Sequence, residues 1–148
     1  MSIHPKNDPE VSRVMMSITS FPVVEKEKII KETLEKMSFF KIGITCIVDN
    51  KNKLLGLITD GDIRRMLLNI QKPLSALFME DVNDHMTLNP FTIFPETKFS
   101  EAISLMEQKK IWDLPVVDKN QKLVGLFHLH PAVDFLIKSS KFKKEVIR

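Results

Sequence analysis

The feature that most limits what this chain can fold into is an internal repeat. Asp49-Asn50-Lys51-Asn52-Lys53-Leu54-Leu55-Gly56-Leu57 returns 69 residues later as Asp118-Lys119-Asn120-Gln121-Lys122-Leu123-Val124-Gly125-Leu126, with five of nine positions identical. Ahead of the second copy, Phe99, Ala102, Ile103 and Met106 repeat the apolar helical stripe that Ile30, Leu34 and Met37 form ahead of the first. Pro115-Val116-Val117 repeats the β-branched run Ile44 to Val48, and Val11 to Met15 has its echo in Val82 to Met86. Each unit therefore reads short segment, helix, strand, turn, strand, helix. A unit of roughly 60 residues is marginal alone, because it buries too little surface. Two such units packed pseudo-symmetrically through their sheets would share one core and leave a cleft, a common place for ligands. The expected fold class is α+β, two repeats of β-α-β-β-α type.

The boundaries follow from composition along the chain. Residues 1–10 are polar with two prolines and read as a linker, in which His4 is a solvated residue. The first repeat is expected over 11–71, a connector holding Pro73 over 72–81, the second repeat over 82–138 and a basic tail over 139–148. Within the first repeat, Val11 to Met16 suits a helical turn and Phe21 to Val24 an extended segment. Glu27 to Phe40 suits an amphipathic helix ended by Gly43, with Glu32 and Glu35 on its solvated face. Asp49 to Asn52 suits a turn between strands.

Charge and composition exclude several classes of function. The net charge of +3 is concentrated after Leu136, where Lys138, Lys141, Lys143, Lys144 and Arg148 face only Glu145, so the body is slightly acidic. With no tyrosine and one tryptophan there is no aromatic-studded basic face for nucleic acid. No apolar run approaches the ~20 residues of a membrane span, and without a basic region followed by an apolar core at the N-terminus no secretory signal is expected. The expected location is cytoplasmic. The single Cys46 excludes an internal disulfide and sits in an apolar run as a buried thiol.

One stretch carries chemistry. In Gly56-Leu57-Ile58-Thr59-Asp60-Gly61-Asp62-Ile63-Arg64-Arg65 an apolar strand stops at a hydroxyl and becomes a helix. Unpaired backbone N–H groups and the helix dipole favour an anion there. Thr59 suits a phosphate and Asp62 two sugar hydroxyls, but Thr59-x-x-Asp62 is also a capping box that needs no ligand. Arg64 and Arg65 open a helix, where the dipole disfavours cations. Either they meet a phosphate, carboxylate or partner, or they are solvated surface residues. His128 and His130, two apart on a strand-like stretch, would share a face and suit a metal, a sugar acid or phosphate, or a plain strand end. No third metal ligand lies nearby, and no nucleophile–base order or Walker-type loop stands out.

These residues make the chain resemble a tandem pair of cystathionine-β-synthase (CBS) domains, over about residues 9–138. The family motif Gly-apolar-x-Thr/Ser-x-x-Asp/Asn stands here as Gly56 to Asp62. The resemblance implies that Thr59 faces phosphate and that Asp62 holds the ribose, with Asp60 between them counted among the ligand-binding residues. It also implies that the base lies against Ile44 and Thr45 and near Val24. In the second copy His128 stands at the Thr place and Pro131 at the Asp place, so at most one good site is expected. Thr59-Asp60-Gly61-Asp62-Ile63-Arg64-Arg65, with Phe127-His128-Leu129-His130 downstream, further resembles the C-terminal CBS pair of bacterial D-arabinose-5-phosphate isomerases. Those enzymes carry a catalytic sugar-isomerase (SIS) domain that feeds synthesis of the octulosonate sugar Kdo. This chain has no room for that domain and is expected to be a regulatory region or freestanding relative, not an enzyme. The resemblance implies no required cofactor, CMP-Kdo as ligand with AMP or ATP as the alternative, and a homodimer. Sugar-nucleotidyltransferases carry similar pairs, and a ligand-free oligomerisation scaffold is the structural alternative.

Overall fold

The computed structural model describes residues 8–139. The readings of His4 and of the tail beyond Ser139 lie outside the described residues. In chain order the elements are β1 (Met16–Ser17), β2 (Val23–Glu25), α1 (Ile30–Phe40), β3 (Ile44–Val48), β4 (Leu54–Thr59), α2 (Asp60–Asn69), α3 (Leu74–Phe78), β5 (Thr87–Leu88), α4 (Phe99–Lys109), β6 (Asp113–Val117), β7 (Leu123–His128) and α5 (Leu129–Lys138). Single 3-10 turns precede β1 at Val11–Arg13 and β5 at Val82–Asp84. The elements gather into two compact units that cut across the sequence repeats. One, the Thr59 unit, takes Ile18–Pro90 with Asn120–Leu123; the other, the His128 unit, takes the described residues up to Ser17, Phe91–Lys119 and those from Val124 on.

The Thr59 unit is built on a four-stranded sheet of order β2-β3-β4-β5. Strand β3 is buried at all five residues, as an apolar β-branched run covered on both faces must be. It pairs parallel with β2 and antiparallel with β4, with Ile44 opposite Thr59 and Thr45 opposite Ile58. The core gathers Val24, Ile30, Ile47, Ile58, Met66, Leu77 and Val82. Helix α1 buries Ile30, Thr33 and Met37, while Glu32 and Glu35 pair outside with Lys28 and Lys31.

Two expectations change here. The helix ends at Lys41, in the left-handed conformation at φ 55°, and not at Gly43. The Ile42 N–H reaches back to the Met37 carbonyl at 3.1 Å, so the closing bonds, not a glycine, hold the turn. Lys110 does the same at φ 54° after α4. The connector 72–81 also contains helix α3, which buries Leu77. Five residues are too few for a helical period to be read.

The His128 unit has a three-stranded sheet of order β1-β7-β6, with β1 antiparallel to β7. Phe99 meets Phe127 edge-on at 5.6 Å in a core that includes Val11, Ala102, Leu114 and Val116. Residues 8–10, expected to belong to a linker, are fixed here. The Val11 N–H bonds the Thr97 carbonyl at 2.7 Å, and the Phe99 N–H bonds the Pro9 carbonyl at 2.8 Å. The Asp8 carboxylate accepts from the Ser100 N–H at 2.9 Å and from its hydroxyl, supplying the cap that Lys98 does not give α4. So the segment leading into the first repeat completes the unit of the second. Likewise β5, which leads into the second repeat, pairs with β4 of the first.

Both exchanges need a glycine. A Cβ on Gly56 would lie 2.5 Å from the Thr87 carbonyl oxygen and 2.9 Å from the Met86 sulfur. A Cβ on Gly125 would lie 2.6 Å from the Met15 sulfur and 2.9 Å from the Met16 carbonyl oxygen. Backbone cannot yield as a side chain can, so the strands must separate. Gly56→Ala is expected to lower stability by about 1–3 kcal/mol, measured by urea unfolding, with Gly125→Ala of similar size.

Candidate functional site

The last residue of β4 is also the N-cap of α2. The Thr59 hydroxyl accepts from the Asp62 N–H at 3.2 Å, and the Asp62 carboxylate accepts from the Thr59 N–H at 2.9 Å. Both halves of the capping box anticipated from sequence are therefore made. The Asp60 N–H donates to the Gly43 carbonyl at 3.0 Å, which extends the β3–β4 ladder by one bond into the helix. The Asp60 carboxylate lies over Gly43, where any side chain would collide with it.

Asp62 does more than cap. Its Oδ2 accepts from the Thr59 N–H and, at 3.1 Å, from the Thr59 hydroxyl. Its Oδ1 accepts from Arg65 Nη2 at 2.9 Å and from the Thr87 hydroxyl at 3.1 Å. Four donors thus fill the acceptor positions of one carboxylate. The Asp62 side chain is 14% exposed and that of Arg65 57%. Arg65 folds back over Gly61, with Nη2 3.2 Å from where a Cβ would stand. Thr87 was not singled out from sequence. It comes from a strand 25 residues away, and only the exchanged pairing of β5 with β4 brings it in.

The register sorts the remaining candidates. Ile44 is opposite Thr59, so the two share a face. Thr45 is opposite Ile58 and Val24 opposite Ile47, which puts both on the other face, with the core. The Thr45 hydroxyl is fully buried and without a hydrogen-bond partner. The register therefore sets Ile44 beside Thr59 and leaves Val24 and Thr45 on the opposite side of the sheet, while the helix cap and its bonds gather Asp62 and Arg65 at Thr59 and put Asp60 over Gly43.

His128 and His130 belong to the other unit. They do not share a strand face: β7 stops at His128, and His130 is an exposed residue of α5, where two-residue alternation no longer applies. His128 Nδ1 lies 2.6 Å from Asp113 Oδ1. The Leu129 N–H donates to the Trp112 carbonyl at 2.9 Å, matching the Asp60–Gly43 bond. Beside it, Met106, Ile111, Trp112 and Leu129 line a hollow of about 300 Å³. Among the described residues no group of three or more His, Cys, Asp or Glu side chains is placed to hold a metal ion. Nor is any helix there long and apolar enough to cross a membrane.

A duplicated α+β frame with a polar helix start in one copy and an altered one in the other defines a module of paired repeats. The chain belongs to the CBS domain family, whose profile matches residues 11–69 and 80–130, making it a tandem CBS pair. It is similar to the arabinose 5-phosphate isomerase KdsD of Francisella tularensis, at 30% identity over 128 residues, 84% of this chain and 36% of that protein. Among solved structures it is similar to CBSX2 in complex with AMP, the Arabidopsis thaliana protein (TM-score 0.76, 24% identity, 94% of this chain and 98% of that one). It is also similar to the CBS pair of MJ0100 with 5′-methylthioadenosine and S-adenosyl-L-methionine (TM-score 0.73, 21% identity, 86% and 94%). The chain spans little more than a third of the length of the curated relatives it matches.

Thr59 both donates to and accepts from Asp62, so Thr59→Ala should cost about 1 kcal/mol in urea unfolding, and Thr59→Ser much less.

Proposed function

We propose that this chain is a regulatory CBS pair that senses a nucleotide or nucleotide-sugar, and that its site is the helix start at Thr59–Asp62. The observation that carries the reading is the saturated carboxylate of Asp62 beside the Thr59 hydroxyl and the first N–H groups of α2. A family motif stands complete in this unit, and solved relatives of the same fold are complexes with AMP and with S-adenosyl-L-methionine. In the binding geometry we favour, Thr59 and the helix start receive phosphate, and Asp62 receives the sugar hydroxyls. Asp60, Ile44 and Arg65 remain proposed as its surroundings, and Thr45 and Val24 as the layer behind it on the core face of the sheet. His128 and His130 are proposed as secondary contacts.

Similarity to arabinose 5-phosphate isomerases supports a place in the synthesis of Kdo-containing polysaccharides, with CMP-Kdo as the ligand to try first and AMP or ATP next. On this reading the chain is not itself an isomerase. It acts in the cytoplasm as a homodimer and, where joined to a SIS domain, biases that domain. Such control requires that the ligand bind one arrangement of the protein better than another. A second reading, an oligomerisation scaffold without ligand, is favoured by Pro131 at the Asp place of the second motif, since proline offers a sugar no acceptor side chain.

The test is thermal unfolding with CMP-Kdo, CMP, AMP, ATP and S-adenosylmethionine, scoring each shift against the same protein's own ligand-free midpoint. A ligand at a hundred times its dissociation constant adds about 2.7 kcal/mol, on the order of several degrees for a chain this size. One ligand should raise the midpoint of the wild type and not that of Asp62→Ala. A dimer indifferent to every ligand would favour the scaffold. Turnover of arabinose 5-phosphate by this chain would overturn the regulatory reading.

A further inference from the structure

The four bonds to Asp62 have a consequence for any sugar that seeks it. Two of them, from the Thr59 N–H and hydroxyl to Oδ2, belong to the helix cap and stay in place. The other two, from Arg65 and Thr87 to Oδ1, come from exposed residues. A vicinal diol brings two O–H donors, and Oδ1 offers two acceptor positions, both taken. Binding is therefore a one-for-one exchange in which a guanidinium N–H and a threonine O–H leave and two sugar hydroxyls enter.

The exchange is neutral in hydrogen bonds and not in charge. Among the described residues Arg65 has Asp62 as its one hydrogen-bonding and ionic partner. Its displacement by a neutral nucleoside leaves the guanidinium unpaired beside the N-terminus of α2, where the dipole disfavours a cation. A phosphorylated ligand brings an anion to that same helix start. The guanidinium already lies over Gly61, in the first turn, within a side-chain rotation of it.

We propose that Arg65 is the specificity residue of this site: it latches Asp62 in the free protein and passes to the ligand's phosphate when the sugar takes Asp62. This rests on the nucleotide reading given above. Thr87 is the second half of the latch. Because the ion pair is largely exposed on the Arg65 side, its opening is a small cost and the latch is shallow.

Calorimetric titration of cytidine against CMP, and of adenosine against AMP, tests it in the wild type, Arg65→Met, Arg65→Lys, Thr87→Val and Asp62→Ala. The wild type should prefer the monophosphate. Arg65→Met should strengthen nucleoside binding about two- to fivefold, by removing the competitor, and weaken monophosphate binding about tenfold. Arg65→Lys should restore part of the preference, and Thr87→Val should strengthen nucleoside and monophosphate alike. Nucleoside binding that appears only in Arg65→Met, with the monophosphate bound by the wild type, also supports the latch. If Arg65→Met changes both affinities by one factor, or neither, while Asp62→Ala abolishes binding, the latch is wrong and the nucleotide reading stands. If no protein binds any of the four ligands, the latch fails, and the nucleotide reading is decided by the thermal unfolding series with CMP-Kdo and ATP.

Discussion

Strand β3 is the constraint on which the Thr59 unit depends. Five consecutive buried residues leave no water for their backbone groups, so N–H and C=O must be paired on both edges, with β2 on one side and β4 on the other. A slip of one residue would turn Ile47 and Ile58 out of the core, so the register is not negotiable. That register sets Ile44 opposite Thr59, and the ladder then ends on the bond from Asp60 to Gly43. The helix start sits where it does because the strand beside it cannot move.

The two units share this frame and differ in what they hang on it. Each closes its strand-to-helix turn with one backbone bond, Asp60 to Gly43 or Leu129 to Trp112, and each admits its exchanged strand over a glycine. In the His128 unit, however, α5 starts without a side-chain cap, and Pro131 in its first turn supplies a fixed φ instead. At the offset of the repeat, Asp134 replaces Arg65. In the matching register of the exchanged strand, Met16 replaces Thr87. The architecture thus forms with none of Thr59, Asp62, Arg65 or Thr87 in its second copy. Their joint presence in the first is more than the fold demands.

What the sequence made legible is local or periodic. Ile44 to Val48 was readable as a strand to the residue, because a β-branched run between two turn signals has few other uses. The capping box was readable because both its partners lie within four residues. Helix α3 was not, since one turn and a half has no period, and Lys41 and Lys110 in left-handed backbone carry no residue signature. The exchange of β1 and β5 was invisible for a different reason. It is a choice of partner strand, and both choices satisfy the same alternation. Thr87 was lost with it, and with Thr87 the fourth bond to Asp62. Which side of the sheet Thr45 and Val24 take was not legible either: on the register observed they share the core side with Ile58 and Ile47.

A carboxylate that is already satisfied changes what a sugar-binding motif means. An empty acceptor would bind any diol and report its concentration poorly, since nothing distinguishes ligands by charge. Asp62 instead holds four donors, of which the proposed latch makes two permanent and two exchangeable. The apparent affinity for a ligand is its intrinsic affinity reduced by the fraction of molecules with the exchangeable pair open. Because one of those donors is cationic, that fraction is itself coupled to the charge the ligand carries, and the coupling is reciprocal: an anion at the helix start favours release of Asp62, and a sugar on Asp62 favours capture of the anion. If the latch operates as proposed, two weak contacts on one carboxylate oxygen are enough for the site to respond to a sugar and a phosphate together more strongly than to either alone.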